Sequence, residues 1–83
     1  MKHKIAEVKP CDGLTLWVKF SDGEVKFYDT KPLIDEIKAF KRLENNYLLF
    51  NGVYVANGGY GIIWDDEIDL SSDELWHNGK APA

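Results

Sequence analysis

The feature that most constrains the fold is a run of strict alternation, LTLWVKF, at residues 14–20. Every second residue is apolar, which is the periodicity of a β-strand with one buried face. A second strand-like run, EVKFYD, follows after Asp22-Gly23. Asp-Gly favours a two-residue type I′ hairpin loop, since both central residues of that loop need a positive φ. The sequence therefore predicts an antiparallel hairpin whose first strand buries Leu14, Leu16, Val18 and Phe20.

The expected loop also predicts the register of this hairpin. With Asp22 and Gly23 alone in the loop, Phe20 lies opposite Val25, and the apolar face of the two strands stays continuous. A three-residue loop is disfavoured, because it sets Phe20 opposite Glu24 and mixes polar with apolar residues on one face. We therefore expect the two-residue loop and its register.

The outer face of the hairpin is the first candidate binding surface. In the expected register it carries two aromatic residues and two opposed lysines, which are Trp17, Lys19, Lys26 and Tyr28. Opposed like charges are mildly destabilising, and exposed aromatic rings between lysines can grip a peptide or stack on bases. Three alternatives stay open for this face: contact with a partner or a twin subunit, burial inside the monomer, and binding of nucleic acid.

A strand before the hairpin and a helix after it extend this unit. Residues 5–10 read as a strand, with a bulge or a frayed start because Ile5 and Val8 break strict alternation. After the hairpin, Pro32 suits the first position of a helix, where its missing N–H costs nothing. The helix is expected to run to the Asn45-Asn46 breakers, with an apolar stripe formed by Leu33, Ile34, Ile37 and Phe40.

The second half of the chain predicts another hairpin and a short helix. GVYVA at residues 52–56 and YGIIW at residues 60–64 flank an Asn-Gly-Gly turn. Ser71 and Glu74 match a capping box, so a helix begins at about Asp73, and Gly79 ends it. The expected fold class is α+β, with a mainly antiparallel sheet, the order β-β-β-α-β-β-α, and helix packed on one face.

An acidic segment at residues 65–74 is the second candidate site. It fails the pattern of an EF-hand calcium loop, because Leu70 stands where glycine is required and Trp76 where the bidentate glutamate is required. A simpler explanation is structural, because Asp65 and Asp66 end an apolar strand, Asp69 precedes a helix and Asp73 lies in the first turn of that helix. Weak binding of a divalent ion and an acidic surface for a basic partner remain as alternatives. The residues of this structural acidic end are Asp65, Asp66, Asp69, Ser71, Asp73 and Glu74.

Charge and composition argue against several classes of function. Residues 1–43 hold nine Lys or Arg against seven Asp or Glu, and residues 44–83 hold one against seven, so +2 and −6 give the net charge of −4. An acidic half argues against broad binding to a phosphate backbone. Cys11, His3 and His77 are too few for a zinc site. Cys11 lies beside a turn and the histidines lie near the two termini, so we interpret them as a strand-end thiol and two surface imidazoles and not as a nucleophile with its base. We therefore expect no catalytic residue, no cofactor and no metal.

Two pieces of the sequence resemble a known bacterial family. FSDG at residues 20–23 and WDDEIDLSSDEL at residues 64–75 are similar to domain-of-unknown-function family 2442, whose second piece reads W-D-x-x-x-D-L-S-x-D-x-L. The resemblance spans Ile5 to Trp76. It implies a small α+β protein, either stand-alone, as expected here, or fused to a helix-turn-helix domain. It carries over no catalytic residue.

The functional expectation is a non-enzymatic protein-interaction or regulatory module of the bacterial cytoplasm. The expected partner is an unidentified protein, with the product of a neighbouring gene and a toxin–antitoxin pairing as candidates, and a homodimer as a further option. The alternatives are a component of a nucleic-acid-associated transcriptional regulator and a divalent-metal-dependent enzyme using residues 65–74. No membrane partner is expected, because no apolar run is long enough. Residues 1–83 are expected to form one domain, with residues 1–4 and 78–83 as loose termini.

Overall fold

The computed structural model describes residues 3–83, which form two three-stranded antiparallel sheets and several short helices. The first sheet contains, in spatial order, β1 (Ile5–Cys11), β2 (Thr15–Phe20) and β3 (Val25–Asp29). The second contains β4 (Tyr54–Val55), β5 (Gly61–Asp65) and β6 (Ile68–Ser71). The helical segments are α1 (Lys31–Glu36), a 3₁₀ helix (Lys38–Leu43), α2 (Tyr47–Asn51) and α3 (Ser72–Asn78). The predicted α+β class and element order are confirmed, and β6 and α2 are additions.

One hydrophobic cluster joins the two sheets and the helices. Leu16, Val18 and Phe20 of β2 are buried as predicted, but Leu14 lies in the preceding turn and is only half-buried. Ile62 of β5, Ile68 of β6 and Leu75 of α3 are also fully buried. Burying a large aliphatic side chain is worth about 1.5–3 kcal/mol. Because these residues come from both halves of the chain, each sheet depends on the other for cover.

The predicted register of the β2–β3 hairpin is wrong by one position. Lys19 pairs with Val25, and the loop has three residues, closed by hydrogen bonds from the Gly23 amide to the Phe20 carbonyl (2.9 Å) and from the Phe20 amide to the Glu24 carbonyl (2.8 Å). Gly23 has a φ of +92°, whereas Asp22 is not left-handed and instead accepts a hydrogen bond from the Glu24 amide (2.9 Å). This is the three-residue loop that needs one left-handed residue, not two. Glu24 is exposed at the hairpin end, so the mixing of faces costs little there.

The predicted long helix is broken. Ile37 adopts an extended conformation, with φ −114° and ψ 115°, and separates α1 from the 3₁₀ helix. The change of direction turns Phe40 and Leu43 into the core and leaves Ile37 42% exposed. Leu33 and Ile34 remain packed against the core, so the predicted apolar stripe is wrong at Ile37.

Local signals at the strand ends agree better with the structure. The register shifts between Ile5 and Glu7, which confirms the irregular start of β1. The hydroxyl of Ser71 accepts a hydrogen bond from the Glu74 amide (3.1 Å), so Ser71 caps α3 as predicted. Gly79 ends that helix, but its φ is −74°, and glycine is needed because a Cβ would collide with the Leu75 carbonyl.

The termini are more closely packed than the sequence indicates. The ring of His3 stacks on Trp76, with centroids 3.7 Å apart, and the backbone of Lys80 pairs with Phe27 at the edge of β3. Asn78 belongs to α3. Residues 1–2, which we also expected to be loose, lie outside the described residues.

Gly61 offers a direct test of how tightly β5 and β6 pack. A Cβ at Gly61 would lie 2.8 Å from the backbone oxygen of Leu70, which belongs to a paired strand. We expect Gly61→Ala to lower the free energy of unfolding by about 1–3 kcal/mol, because backbone must shift to relieve the overlap. Urea denaturation followed by circular dichroism measures it.

Gly52→Ala is the matched control for that substitution. Its φ of −85° suits alanine, and the nearest atom to the new Cβ is 3.4 Å away. The control is expected to be neutral or slightly stabilising, because alanine restricts the unfolded chain. Equal losses in the two variants would contradict the packing described here.

Candidate functional site

The structure splits the predicted binding surface between two faces of the first sheet. Trp17 and Lys19 lie on the outer face, whereas Lys26 and Tyr28 lie on the inner face with the core. A register change of one residue moves every side chain of a strand to the opposite face. The four-residue surface of the sequence prediction is therefore wrong as a unit, and only its β2 half points outward.

The inner pair fixes α3 against the first sheet. The Tyr28 hydroxyl donates to Oε2 of Glu74 (2.7 Å), and the side-chain amide of Asn78 donates to the same oxygen (2.9 Å). The Lys26 ammonium donates to the Trp76 carbonyl (2.6 Å) and lies 4.4 Å from the centroid of the Trp76 ring. Burial and, secondarily, the bond to Glu74 raise the pKa of the Tyr28 phenol above its ordinary value. These groups hydrogen-bond within the fold, where they join α3 to the first sheet.

On the outer face, half-buried Trp17 lies opposite Phe27, which is 38% exposed. The Lys9 ammonium covers part of the Trp17 ring, 4.9 Å from the ring centroid, and Glu7 lies 3.5 Å from the same ammonium. Lys19 is exposed and pairs across the strands with Glu7. Basic and acidic groups alternate on this face, so it is not the basic stripe that nucleic acid requires.

The start of the acidic segment is a hairpin turn between β5 and β6. Oδ1 of Asp65 accepts hydrogen bonds from the amides of Glu67 (2.9 Å) and Ile68 (3.1 Å), so the carboxylate organises the turn. Arg42 reaches both oxygens of Asp65, at 2.8 and 3.2 Å, and Glu67 at 3.5 Å. The hydrogen bond from Arg42, followed by that from the Glu67 amide, lowers the pKa of Asp65. The same pairing with Asp65 raises the pKa of Arg42.

The other acidic residues are distributed over three different elements. Asp66 is exposed in the turn, Asp69 is exposed on β6 opposite Ile63, and Asp73 and Glu74 lie in the first turn of α3. Asp69 was expected just before a helix, but it lies within a strand. Among residues 3–83, no group of three His, Cys, Asp or Glu side chains is placed to hold one metal ion.

The cysteine and the two histidines do not meet. His3 and His77 approach each other edge to face, 6.4 Å between centroids, beside Trp76. Cys11 lies at the opposite end of β1 from His3, and eight residues of extended chain span roughly 25 Å. The Sγ of Cys11 lies 3.7 Å from the Lys9 carbonyl. Both histidines therefore lie out of hydrogen-bond reach of the Cys11 thiol.

The most exposed large apolar residues lie on α2, where the sequence analysis predicted no site. Tyr47 is 77% exposed and Leu48 is 83% exposed, and we call this pair the α2 ledge. The Asn46 side chain caps α2 by accepting from the Leu49 amide (3.1 Å), and Phe50 is buried with its carbonyl bound to the Trp64 indole N–H (3.1 Å). These anchors fix the helix so that the ledge must face outward.

A cavity of about 660 Å³ lies between the α2 ledge and the turn that joins β1 to β2. Two carboxylates line it, Asp12 and Glu44, and no Lys, Arg or His does. The apolar part of its wall is formed by Pro10, Cys11, Leu14, Leu43, Tyr47 and Phe50. The sequence signal for this surface is the Asn45-Asn46 pair before YLLF. An asparagine N-cap there starts a short helix, and four consecutive apolar residues in that helix cannot all face the core.

Comparison with known families now decides the relationship that the sequence indicated. A family model described as a protein of unknown function, DUF2442, matches residues 5–81. The chain belongs to the DUF2442 family. No curated protein and no solved structure matches it significantly.

The two pieces on which the DUF2442 resemblance rests have structural roles here. FSDG contains the last residue of β2 and the three loop residues of the β2–β3 hairpin. The second piece runs from Trp64 through the Asp65 turn to the Ser71 cap and buried Leu75. Neither piece lines the cavity beside α2. Within residues 3–83, no helix has the length and apolar character that crossing a membrane requires.

Removing the Tyr28 hydroxyl tests how α3 is held. Tyr28→Phe keeps the buried ring but leaves Glu74 bound to Asn78 alone. We expect a loss of about 1.5–3 kcal/mol in the free energy of unfolding, the typical net value of a hydrogen bond to a charged group. Tyr54→Phe, at a ring that is 54% exposed, is the control and should change stability by less than about 0.5 kcal/mol. No difference between the two variants would show that the bond is dispensable.

The depressed pKa of Asp65 predicts a pH dependence. A carboxyl whose pKa is lower in the folded state stabilises the fold at pH values above its unfolded pKa of about 4. That stability is lost as the pH falls through the pKa of the folded state. Unfolding free energies measured from pH 7 to pH 2 should therefore decline more steeply below pH 4 in the wild type than in Asp65→Asn. Asp66→Asn, whose carboxylate takes no part in the turn hydrogen bonds, should follow the wild type.

Proposed function

We propose that this chain is a non-enzymatic protein-interaction module of the bacterial cytoplasm and that its partner docks on the α2 ledge. The observation that carries the proposal is the exposure of adjacent Tyr47 and Leu48, at 77% and 83%. Covering a leucine is worth about 1.5–3 kcal/mol, and aromatic residues are enriched at protein interfaces. An adjacent exposed pair on a firmly anchored helix therefore favours recognition of another macromolecule.

The chemistry of the remaining polar groups supports a binding role. Tyr28, Glu74 and Lys26 are occupied in holding α3, and Asp65 is occupied with Arg42 and the turn amides. The cavity is lined by Asp12, Glu44 and Cys11 but by no His, Lys or Arg, and the Cys11 thiol is directed to the Lys9 carbonyl. A catalytic pair needs a nucleophile or acid with a partner within hydrogen-bond reach. The groups left free for a ligand therefore suit docking better than catalysis.

Co-purification with matched variants tests this function. The tagged chain is expressed in its native host, and the product of a neighbouring gene is the first candidate among proteins retained in stoichiometric amount. Tyr47→Ser with Leu48→Ser should reduce that retention at least tenfold, since two interface side chains together lose more than 1.4 kcal/mol. Tyr54→Ser with Tyr60→Ser, at rings 54% and 47% exposed, is the control and should retain the partner.

Two results would contradict the proposal. Unchanged retention by the Tyr47/Leu48 variant would remove the α2 ledge as the docking surface. Loss of the partner in Lys19→Glu, with no loss in the α2 variant, would move the interface to the outer face of the first sheet, where Lys19 is exposed beside Trp17. Circular dichroism and thermal melts of each variant establish that the fold is kept.

A further inference from the structure

The cavity beside α2 indicates what kind of segment the partner presents, and this inference rests on the proposed function. We propose that the α2 ledge and the cavity bind an extended segment of a partner protein in which a large apolar side chain lies next to Lys or Arg. The apolar side chain enters the cavity, and the cation meets the carboxylates of Asp12 and Glu44 at its wall.

The apolar part of the cavity is preformed. Leu43 and Phe50 belong to the core, at 1% and 4% exposure, and also line the cavity, so its apolar wall is continuous with the hydrophobic core. A volume of about 660 Å³ is within the range of sites that enclose a ligand. A small molecule inside it would leave Leu48 uncovered, because Leu48 does not line the cavity. A segment that crosses the ledge and enters the cavity covers both.

The turn that forms the opposite wall is held in place by the fold. Leu14 has a φ of +58°, a conformation that a leucine rarely adopts. Its carbonyl accepts two hydrogen bonds from buried Thr30, from the amide (3.1 Å) and from the hydroxyl (2.7 Å). The Asn46 cap holds the α2 side. Because both walls are fixed before binding, little conformational entropy is lost when a segment enters.

The negative charge of the cavity wall favours a positively charged group on the partner. Asp12 and Glu44 are exposed carboxylates, and the cavity lining includes no Lys, Arg or His. The ammonium of Lys31 contacts the Gly13 carbonyl (2.9 Å), but it is paired with Asp29 (3.0 Å) and is not part of the lining. An acidic segment would meet like charges, whereas Lys or Arg would gain two ion pairs at the wall.

Two synthetic peptide libraries test the inference. Each holds eight-residue peptides with one central Leu, Ile or Phe, flanked by Lys or Arg in the first library and by Asp or Glu in the second. Binding to the full chain is measured by fluorescence polarisation at low and at physiological salt. We expect the basic library to bind about tenfold more tightly, the size expected when two exposed ion pairs replace two like-charge contacts. The preference should shrink as salt rises.

Charge-reversed variants assign the preference to this cavity. Asp12→Lys with Glu44→Lys should abolish or invert it, whereas Asp35→Lys with Asp66→Lys, the same change of net charge at exposed positions elsewhere, should keep it. Thermal melts of both variants check folding. Equal binding of the two libraries, no binding of the basic library, or loss of preference in both variants would overturn the inference.

The outcomes separate this inference from the proposed function. If a partner depends on Tyr47 and Leu48 but not on Asp12 and Glu44, the interaction module stands and the basic segment is wrong. If the partner does not depend on Tyr47 and Leu48, the proposed docking surface itself fails. Sedimentation of the chain alone provides a further check. If the chain forms a dimer that dissociates in the Leu48→Ser variant, a second copy of the chain occupies the surface and the inference is overturned.

Discussion

The three-residue loop between β2 and β3 is the constraint on which the rest of the structure depends. A single left-handed residue, Gly23, closes it, and the register of the hairpin follows from its length. That register turns Lys26 and Tyr28 toward the core side, where they hold α3 through Trp76 and Glu74. One residue more or less in the loop would place both groups in solvent and leave α3 without its polar anchors.

The second sheet is organised by contacts that close over long distances in sequence. Asp65 ties the β5–β6 turn to Arg42 of the 3₁₀ helix, 23 residues earlier, and the Trp64 indole bonds the carbonyl of Phe50 at the end of α2. These two contacts indicate that the acidic segment stabilises the fold. Its first carboxylate organises a turn, and Ser71 caps the helix that follows.

With those groups engaged in the fold, the surface beside α2 is the one that we propose for recognition. Exposed apolar side chains on an anchored helix next to a cavity with an acidic wall are the features that a docking site for a basic-apolar segment requires. In the opposite wall Leu14 has a left-handed backbone, and the hydrogen bonds that Thr30 donates to its carbonyl stabilise this conformation.

The sequence by itself determined the α+β class, the inner face of β2, the irregular start of β1 and the Ser71 cap, because each follows from the spacing of a few neighbouring residues. It did not determine the hairpin register, since Asp22-Gly23 is compatible with both loop lengths. The choice depends on the hydrogen-bond acceptors that α3 places beside Lys26 and Tyr28.

Only the tertiary structure broke the helix at Ile37 and formed the cavity beside α2. The break follows from the burial of Phe40 and Leu43. The cavity is formed where the β1–β2 turn meets α2, which the Trp64 indole fixes through the Phe50 carbonyl. Contacts between residues so far apart in the chain produce no periodicity or spacing in the amino-acid sequence. Their energies depend on which surfaces remain uncovered once the local elements have packed.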